Sequence, residues 1–452
     1  MKNHMILAAA AALALVACAK VETIQNDIEG NAISFGVYVP QAITKAGTPG
    51  TITTGGADET IAGTTTATTS LQTTGFGVFV TYSDGKDYED YNPATDGPKA
   101  NFMYNTKVSG ASWTYSPLKY WPNETIDDNN NAHGPANADK LSFFAYAPYV
   151  SDDDSGSNVF TTVDEPGISA LTTKTDTTDP KVTYKISQTP DTAVDLLWAV
   201  APAGGLSYKD VHNFDVEVEA GMPLTNLTKP STAQTIPFRF RHATSRLGLT
   251  IIGAFDQEDE GAAIAKEAAT KVTVASVTLS MPAYTSANLN LNNTEANTPL
   301  WEGATGDASN TVFTVSSANL NATILDAAGT IPQTVEGVTA TEKNLFVDAK
   351  TFFTLIPRDA ETTIRVTITY YVTTADNGLA AGGSRVENVI YKDIKFGNAS
   401  AVPAVPAFAA GTKNNIKIIL GLTSVKLVAS VEEWADCINQ DVDLPKNFTP
   451  AP

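Results

Sequence analysis

The chain is poor in the residues on which most enzyme and metal chemistry depends. It holds 2 cysteines, Cys18 and Cys437, and 4 histidines in 452 residues. Two thiols so far apart make no disulfide framework, so stability has to come from a hydrophobic core. The histidines, His4, His133, His212 and His242, form no HExxH and no other pair at metal-ligand spacing, which excludes the familiar zinc signatures. Charge is scarce as well, and what there is runs to one sign: 17% of residues are charged, with Lys+Arg 29 against Asp+Glu 49, for a net charge of −20. The densest basic stretch is Arg239, Arg241, His242 and Arg246, too thin to offset that charge, so nucleic acid is excluded as a partner. Walker A and GxSxG sequences are absent. Gly75-Phe76-Gly77 begins like a dinucleotide fingerprint, but Val80 stands at the third glycine position and the segment alternates as a strand. No cofactor, metal or catalytic residue is therefore expected, and the chain reads as a non-enzyme.

What is present begins at the N-terminus. Lys2 is followed by an apolar run from Met5 to Ala17, about 20 Å long as a helix and short of the roughly 30 Å needed to cross a bilayer. The run ends Leu15-Val16-Ala17-Cys18. Small residues before a thiol fit a lipoprotein signal, so residues 1–17 are expected to be a signal peptide and Cys18 the lipid attachment site, with the acyl chains buried in membrane lipid. A polar tether follows. Ile33, Phe35, Val37 and Val39 then alternate as a single strand. Beyond Lys45 and Ala46, a tract to Thr74 is dominated by Thr, Gly and Ala and reads as a flexible segment.

The body of the chain is a succession of short β segments rich in β-branched and aromatic residues. Strands are expected at 75–82, 113–115, 141–146, 181–186, 235–240, 247–252, 272–280, 352–356, 363–372, 389–396, 415–421 and 425–431. Turn formers separate them, which argues for all-β sandwiches. Only Glu258 to Lys271 has helix-forming composition. The main boundary is placed near residue 235, giving an N-terminal sandwich over 75–235, a C-terminal sandwich over 236–436 and a tail over 437–452.

Two acidic tracts, from Asp127 and from Asp152, place oxygen ligands close together as calcium loops do. Ala132 and Ala138 in one, and Ser157 and Val163 in the other, occupy the glycine and bidentate-Glu positions such a loop requires. Solvated loops are the expectation. Trp113, Tyr115, Tyr120 and Trp121 form a cluster that either stacks on sugar rings or packs into the core, and the core is favoured.

Several segments together carry a resemblance. They are the lipobox, Ile33-Ser34-Phe35, Thr44-Lys45-Ala46, Gly75-Phe76-Gly77-Val78-Phe79, Phe102-Met103-Tyr104-Asn105, Trp113-Thr114-Tyr115, Lys119-Tyr120-Trp121-Pro122 and Leu141 to Pro148. Further on come Asp195-Leu196-Leu197-Trp198-Ala199, Phe240 to Leu247, Phe353 to Pro357, Ala410-Gly411-Thr412 and Val431-Glu432-Glu433-Trp434. In this order the chain resembles the fimbrillin-like lipoproteins, subunits of type V pili of Gram-negative bacteria. The resemblance implies two transthyretin-like β-sandwich domains in tandem and a detachable first strand. It implies transport to the outer membrane as a lipid-anchored precursor handled by lipoprotein-processing enzymes. A trypsin-like surface protease would then cut between Lys45 and Ala46, where many relatives carry arginine instead of lysine. The placeholder strand Ile33, Phe35, Val37, Val39 (residues 18–45 with its tether) would leave, and a C-terminal strand of another copy or a related pilus subunit would replace it by β-augmentation. Thr192 and Thr177 stand in Asp-Thr-X sequences, which in such bacteria imply O-glycan acceptors. The alternative function is a monomeric surface lipoprotein that binds glycans.

Overall fold

The computed structural model describes residues 32–37, 71–83, 85–96, 102–110, 112–122, 139–151, 166–175, 178–202, 204–253, 270–294, 301–306, 310–315, 323–325, 343–344, 352–375, 383–398, 400, 407–420 and 425–433. The first half of the chain supplies β1 (Ser34–Val37), β2 (Phe76–Tyr82), β3 (Met103–Val108), β4 (Lys140–Ala147), β5 (Gly167–Thr172), β6 (Lys181–Lys185), β7 (Leu197–Val200), β8 (Leu206–Lys209), β9 (Asp215–Val218), β10 (Leu224–Thr228) and β11 (Thr235–His242). The second half supplies β12 (Ser245–Gly253), β13 (Thr270–Pro282), β14 (Ser286–Asn290), β15 (Trp301–Thr305), β16 (Asn310–Val315), β17 (Thr323–Leu325) and β18 (Lys343–Asn344). It ends with β19 (Phe352–Leu355), β20 (Thr362–Ala375), β21 (Gly383–Phe396), β22 (Thr412–Leu420) and β23 (Val425–Glu433). The protein is all-β. No helix among the described residues is long and apolar enough to cross a membrane.

A 7-stranded sheet runs β1-β11-β7-β4-β2-β3, with β10 on β4. Both of its faces are covered, which is why every residue of β4, Lys140 to Ala147, is buried. Phe143 and Ala145 point to one core with Phe76, Val78, Phe238 and Phe240. Phe144 and Tyr146 point to the other, where Val182, Tyr184 and Leu289 of the 4-stranded sheet β15-β14-β6-β5 meet them. Strict alternation along β4 thus serves two cores at once.

The second core continues without a break into two 5-stranded sheets, β18-β12-β22-β23 with β19, and β16-β13-β20-β21 with β17. Ile364, Val366, Ile368 and Tyr370 of β20 face Leu247, Leu249, Ile416 and Ile418 across that layer, all within 1% of complete burial.

Several expectations change. The division at 235 falls at the start of β11, which pairs with β1 and β7 in the first sheet, and β14 of the second half pairs with β6 of the first. The turn between His242 and Ser245 is where the chain passes from the first sheet to β12. The segment 113–115 is not a strand: Trp113 has φ 47, and only the isolated bridge Ser109↔Thr114 forms. Of the stretch with helical composition, Thr270 and Lys271 open β13 and the rest lies outside the described residues. The Thr/Gly/Ala-rich tract ends in a short helix, Leu71–Thr74, because Leu71 has a core to fill and is fully buried.

The glycines of Gly75-Phe76-Gly77 have a packing cause. A Cβ on Gly77 would run into the ring of Tyr146 and meet Asn105 Oδ1 at 2.6 Å. Tyr146 donates its hydroxyl to that same oxygen at 2.8 Å.

Candidate functional site: the slot of the first strand

β1 is a 4-residue strand at the edge of the first sheet, paired in parallel with β11 from Ser34↔Thr235 to Val37↔Phe238. So short a ladder supplies few backbone hydrogen bonds, and side chains do the rest. Ile33, Phe35 and Val37 are 1%, 3% and 7% exposed. Phe35 stacks on Phe238 at 5.9 Å and meets Phe143 and Tyr115 edge-on at 6.1 and 5.2 Å. Burying one such ring is worth about 1.5–3 kcal/mol, and edge-to-face partners add to it.

The other flank of the strand is closed by the segment 115–120. Ile33 donates its amide to Lys119 O at 2.9 Å, and Ala32 bridges Tyr120. The Tyr115 hydroxyl donates to Ile33 O at 2.7 Å and accepts the Lys119 amide at 3.2 Å. Burial, the largest influence on it, raises the Tyr115 pKa, so the phenol stays a donor. At the mouth Ser34 Oγ donates to Gln234 O at 3.2 Å. β1 therefore lies in a slot with an apolar floor and hydrogen-bonding walls.

The placement of the expected residues divides. Ile33, Phe35 and Val37 come together on the floor of the slot, while Val39, Lys45, Ala46, Cys18 and Thr177 lie outside the described residues, as do the tracts from Asp127 and Asp152. Thr192 is exposed on the short 3-10 turn Pro190–Thr192, its hydroxyl 2.7 Å from Ser187 Oγ. Among the aromatics, Trp113 and Trp121 are core residues at 6% and 5% exposure, whereas Tyr120 is exposed. Among the described residues no group of three His, Cys, Asp or Glu side chains could hold a metal ion.

The sequence reading missed what Asp195-Leu196-Leu197-Trp198 and Phe240 to Leu247 build together. Asp195 and His242 are both buried, with Nδ1 of His242 2.8 Å from Oδ2 of Asp195 and 3.0 Å from Oδ1. Around them Ala243 donates its amide to Leu196 O, Trp301 Nε1 donates to Ala243 O, and Gly411 donates its amide to Thr244 O, each at 2.8–2.9 Å. Asn414 Nδ2 reaches Ser245 Oγ at 2.7 Å. This buried polar junction ties the first sheet to β12 and β22 through these hydrogen bonds, with Asn414 Oδ1 the one atom of that side chain left without a partner. Two polar residues embedded in apolar motifs were the available signal.

The fold and its slot define a class: an all-β, multi-sheet protein that carries its own N-terminal segment as a short edge strand. No family model matches the chain. The chain is similar to fimbrium subunit Fim1C of Phocaeicola vulgatus, 28% identical over 190 residues, which are 41% of this chain and 38% of that protein. Among solved structures, a fimbrial protein from Bacteroides vulgatus is 19% identical with a TM-score of 0.48, over 80% of this chain and 93% of that one. A candidate cell adhesion protein from Bacteroides uniformis is 16% identical with a TM-score of 0.33, over 80% and 92%. The similarity to the fimbrium subunit spans less than half of either chain.

Proposed function

We propose that the protein is a structural subunit of a surface fimbria and that β1 is a placeholder for a strand from another subunit. The observation that carries this reading is the build of the slot. A 4-residue parallel edge strand, with Phe35 and Val37 buried along it and Ile33 buried just before it, is held by a surface that would, once vacated, expose an apolar floor and unpaired β11 backbone. A replacing strand would satisfy both at once. The fimbrial name of the curated relative supports the same role in filament structure or adhesion.

In this scheme Cys18 carries lipid during export to the outer membrane, and a trypsin-like surface protease cuts between Lys45 and Ala46. The segment from Cys18 to Lys45 then departs with β1, Val39 extending its apolar row. The donor comes from the C-terminal region of another copy or a related pilus subunit. Each body is expected to be transthyretin-like, and Thr192 and Thr177 are expected to accept O-glycans. The alternative of a glycan platform loses two of its four aromatics, because Trp113 and Trp121 are buried.

The test is cleavage of the purified chain with a lysine-accepting, trypsin-like protease, followed by N-terminal sequencing and denaturing electrophoresis without boiling. Ala46 at the new N-terminus and a ladder resistant to detergent are expected. If cleavage behind Lys45 yields soluble monomer under all conditions, the assembly reading fails.

A further inference from the structure

β21 is an anomaly among edge strands. It is 14 residues long, pairs only with β20 among the described residues, and ends its sheet. Edge strands of that length are uncommon, because a row of free N–H and C=O groups invites pairing with another chain. β23 of the facing sheet packs beside it without forming a ladder. Three of its apolar side chains, Val386, Val389 and Tyr391, are 55%, 54% and 67% exposed.

The register with β20 fixes which residues share a face. Val386, Asn388, Ile390, Lys392 and Ile394 lie opposite Val372, Tyr370, Ile368, Val366 and Ile364, whose row faces the core. Arg385, Glu387, Val389, Tyr391, Asp393 and Lys395 therefore lie on the outer face. There Arg365 donates to Asp393 through Nε at 2.9 Å and Nη2 at 3.1 Å, and the Arg385 guanidinium lies 3.5 Å above the centre of the Tyr371 ring.

We propose that this edge is a self-association surface, pairing antiparallel with β21 of a second copy about a two-fold axis through Val389. That register sets Val389 against its twin, Glu387 against Tyr391, and Arg385 of each copy against Asp393 of the other. Opposite charges meet twice, and the axis keeps outer faces on one side, as a closed dimer requires. Moving the axis to Ile390 sets Arg385 against Lys395 and Glu387 against Asp393, like against like. Moving it to Tyr391 sets Glu387 against Lys395 but leaves Asp393 opposite the apolar Val389 and puts Arg385 beyond the end of the partner strand at Phe396. Charges on an edge strand ordinarily keep other chains away, but about Val389 this row is complementary to itself over the whole paired length. Both ladder types of an antiparallel pair allow a residue to face its own twin, so the backbone sets no obstacle. The proposal is independent of strand replacement, since β1 and β21 belong to different sheets.

Sedimentation velocity of the purified chain over a range of concentrations tests it. The native chain should show a monomer–dimer equilibrium, and Val389→Lys, which places two like charges on the axis, should abolish the dimer. Arg385→Asp and Asp393→Arg should each weaken it by about tenfold, since each turns two favourable pairs into repulsive ones. The double variant Arg385→Asp with Asp393→Arg should restore it. All three side chains are exposed, and matching thermal melts would confirm folding. A chain that stays monomeric up to ~1 mM, a dimer indifferent to Val389→Lys, or a double variant no better than the single ones overturns the proposal.

Discussion

Among the described residues two strand pairings are parallel and the rest antiparallel, and the two parallel ones are built in opposite ways. β1 lies along β11 at a sheet edge for 4 residues, while β22 lies along β12 from Arg246↔Lys413 to Gly253↔Leu420 with β23 on its other flank. In the first the backbone contributes little, and three apolar anchors with the Tyr115 hydroxyl hold the strand. In the second a long ladder, the buried row Ile416, Ile418 and Leu420, and the Asn414 contacts to Ser245 and Arg246 interlock. On the proposed reading, a strand of the first kind is withdrawn without opening the rest of the molecule. Withdrawing one of the second kind takes the C-terminal core with it.

The comparison can be broken most forcefully at β22. Ile418→Ala should cost about 2–5 kcal/mol of global stability, read as a lower denaturant midpoint, because the side chain is fully buried between the sheets. Phe35→Ala should act locally instead. It empties the centre of the slot, so after cleavage behind Lys45 native mass spectrometry should find far less of the β1 fragment retained, with the β12 and β22 amides as protected as before. Tyr115→Phe removes one hydrogen bond to Ile33 O and should weaken β1 retention by about 0.5–1.5 kcal/mol.

The smallest effect is one of acid. Burial alone would raise the Glu302 pKa, but hydrogen bonds from Lys181 at 2.5 Å and Asn290 at 2.7 Å outweigh it and hold it below its ordinary value of 4.5. A depressed carboxylate stabilises the fold above the unfolded value, and that contribution is lost as pH falls through the folded one. Glu302→Gln should therefore lower the melting temperature slightly at neutral pH, flatten the acid limb of its profile below pH 4.5 and leave the most acidic end little changed.

Much of the fold was legible where one face of a strand is buried, because alternation then reports the face directly. Val272 to Ser280 and Thr363 to Val372 are such runs, and both are strands. The short strands β8, β9 and β15 were missed, since Leu206–Lys209, Asp215–Val218 and Trp301–Thr305 are half exposed and carry little pattern. The pairing of β14 with β6 could not be read at all, for register between distant segments is a property of packing and not of either segment. At the slot, Ile33, Phe35 and Val37 announced themselves. Their partners Tyr115, Phe143 and Phe238 did not, because aromatic residues mark a core without saying which strand they cover.

Hydrogen exchange on the chain cleaved behind Lys45, before any assembly, tests the central claim most directly. The account predicts that the β11 amides from Thr235 to Phe238 lose protection as β1 departs, that those of β12 and β22 keep theirs, and that β11 protection returns in the assembled form. Unchanged protection along β11 after β1 has left, or earlier loss along β22 than along β11, would contradict it.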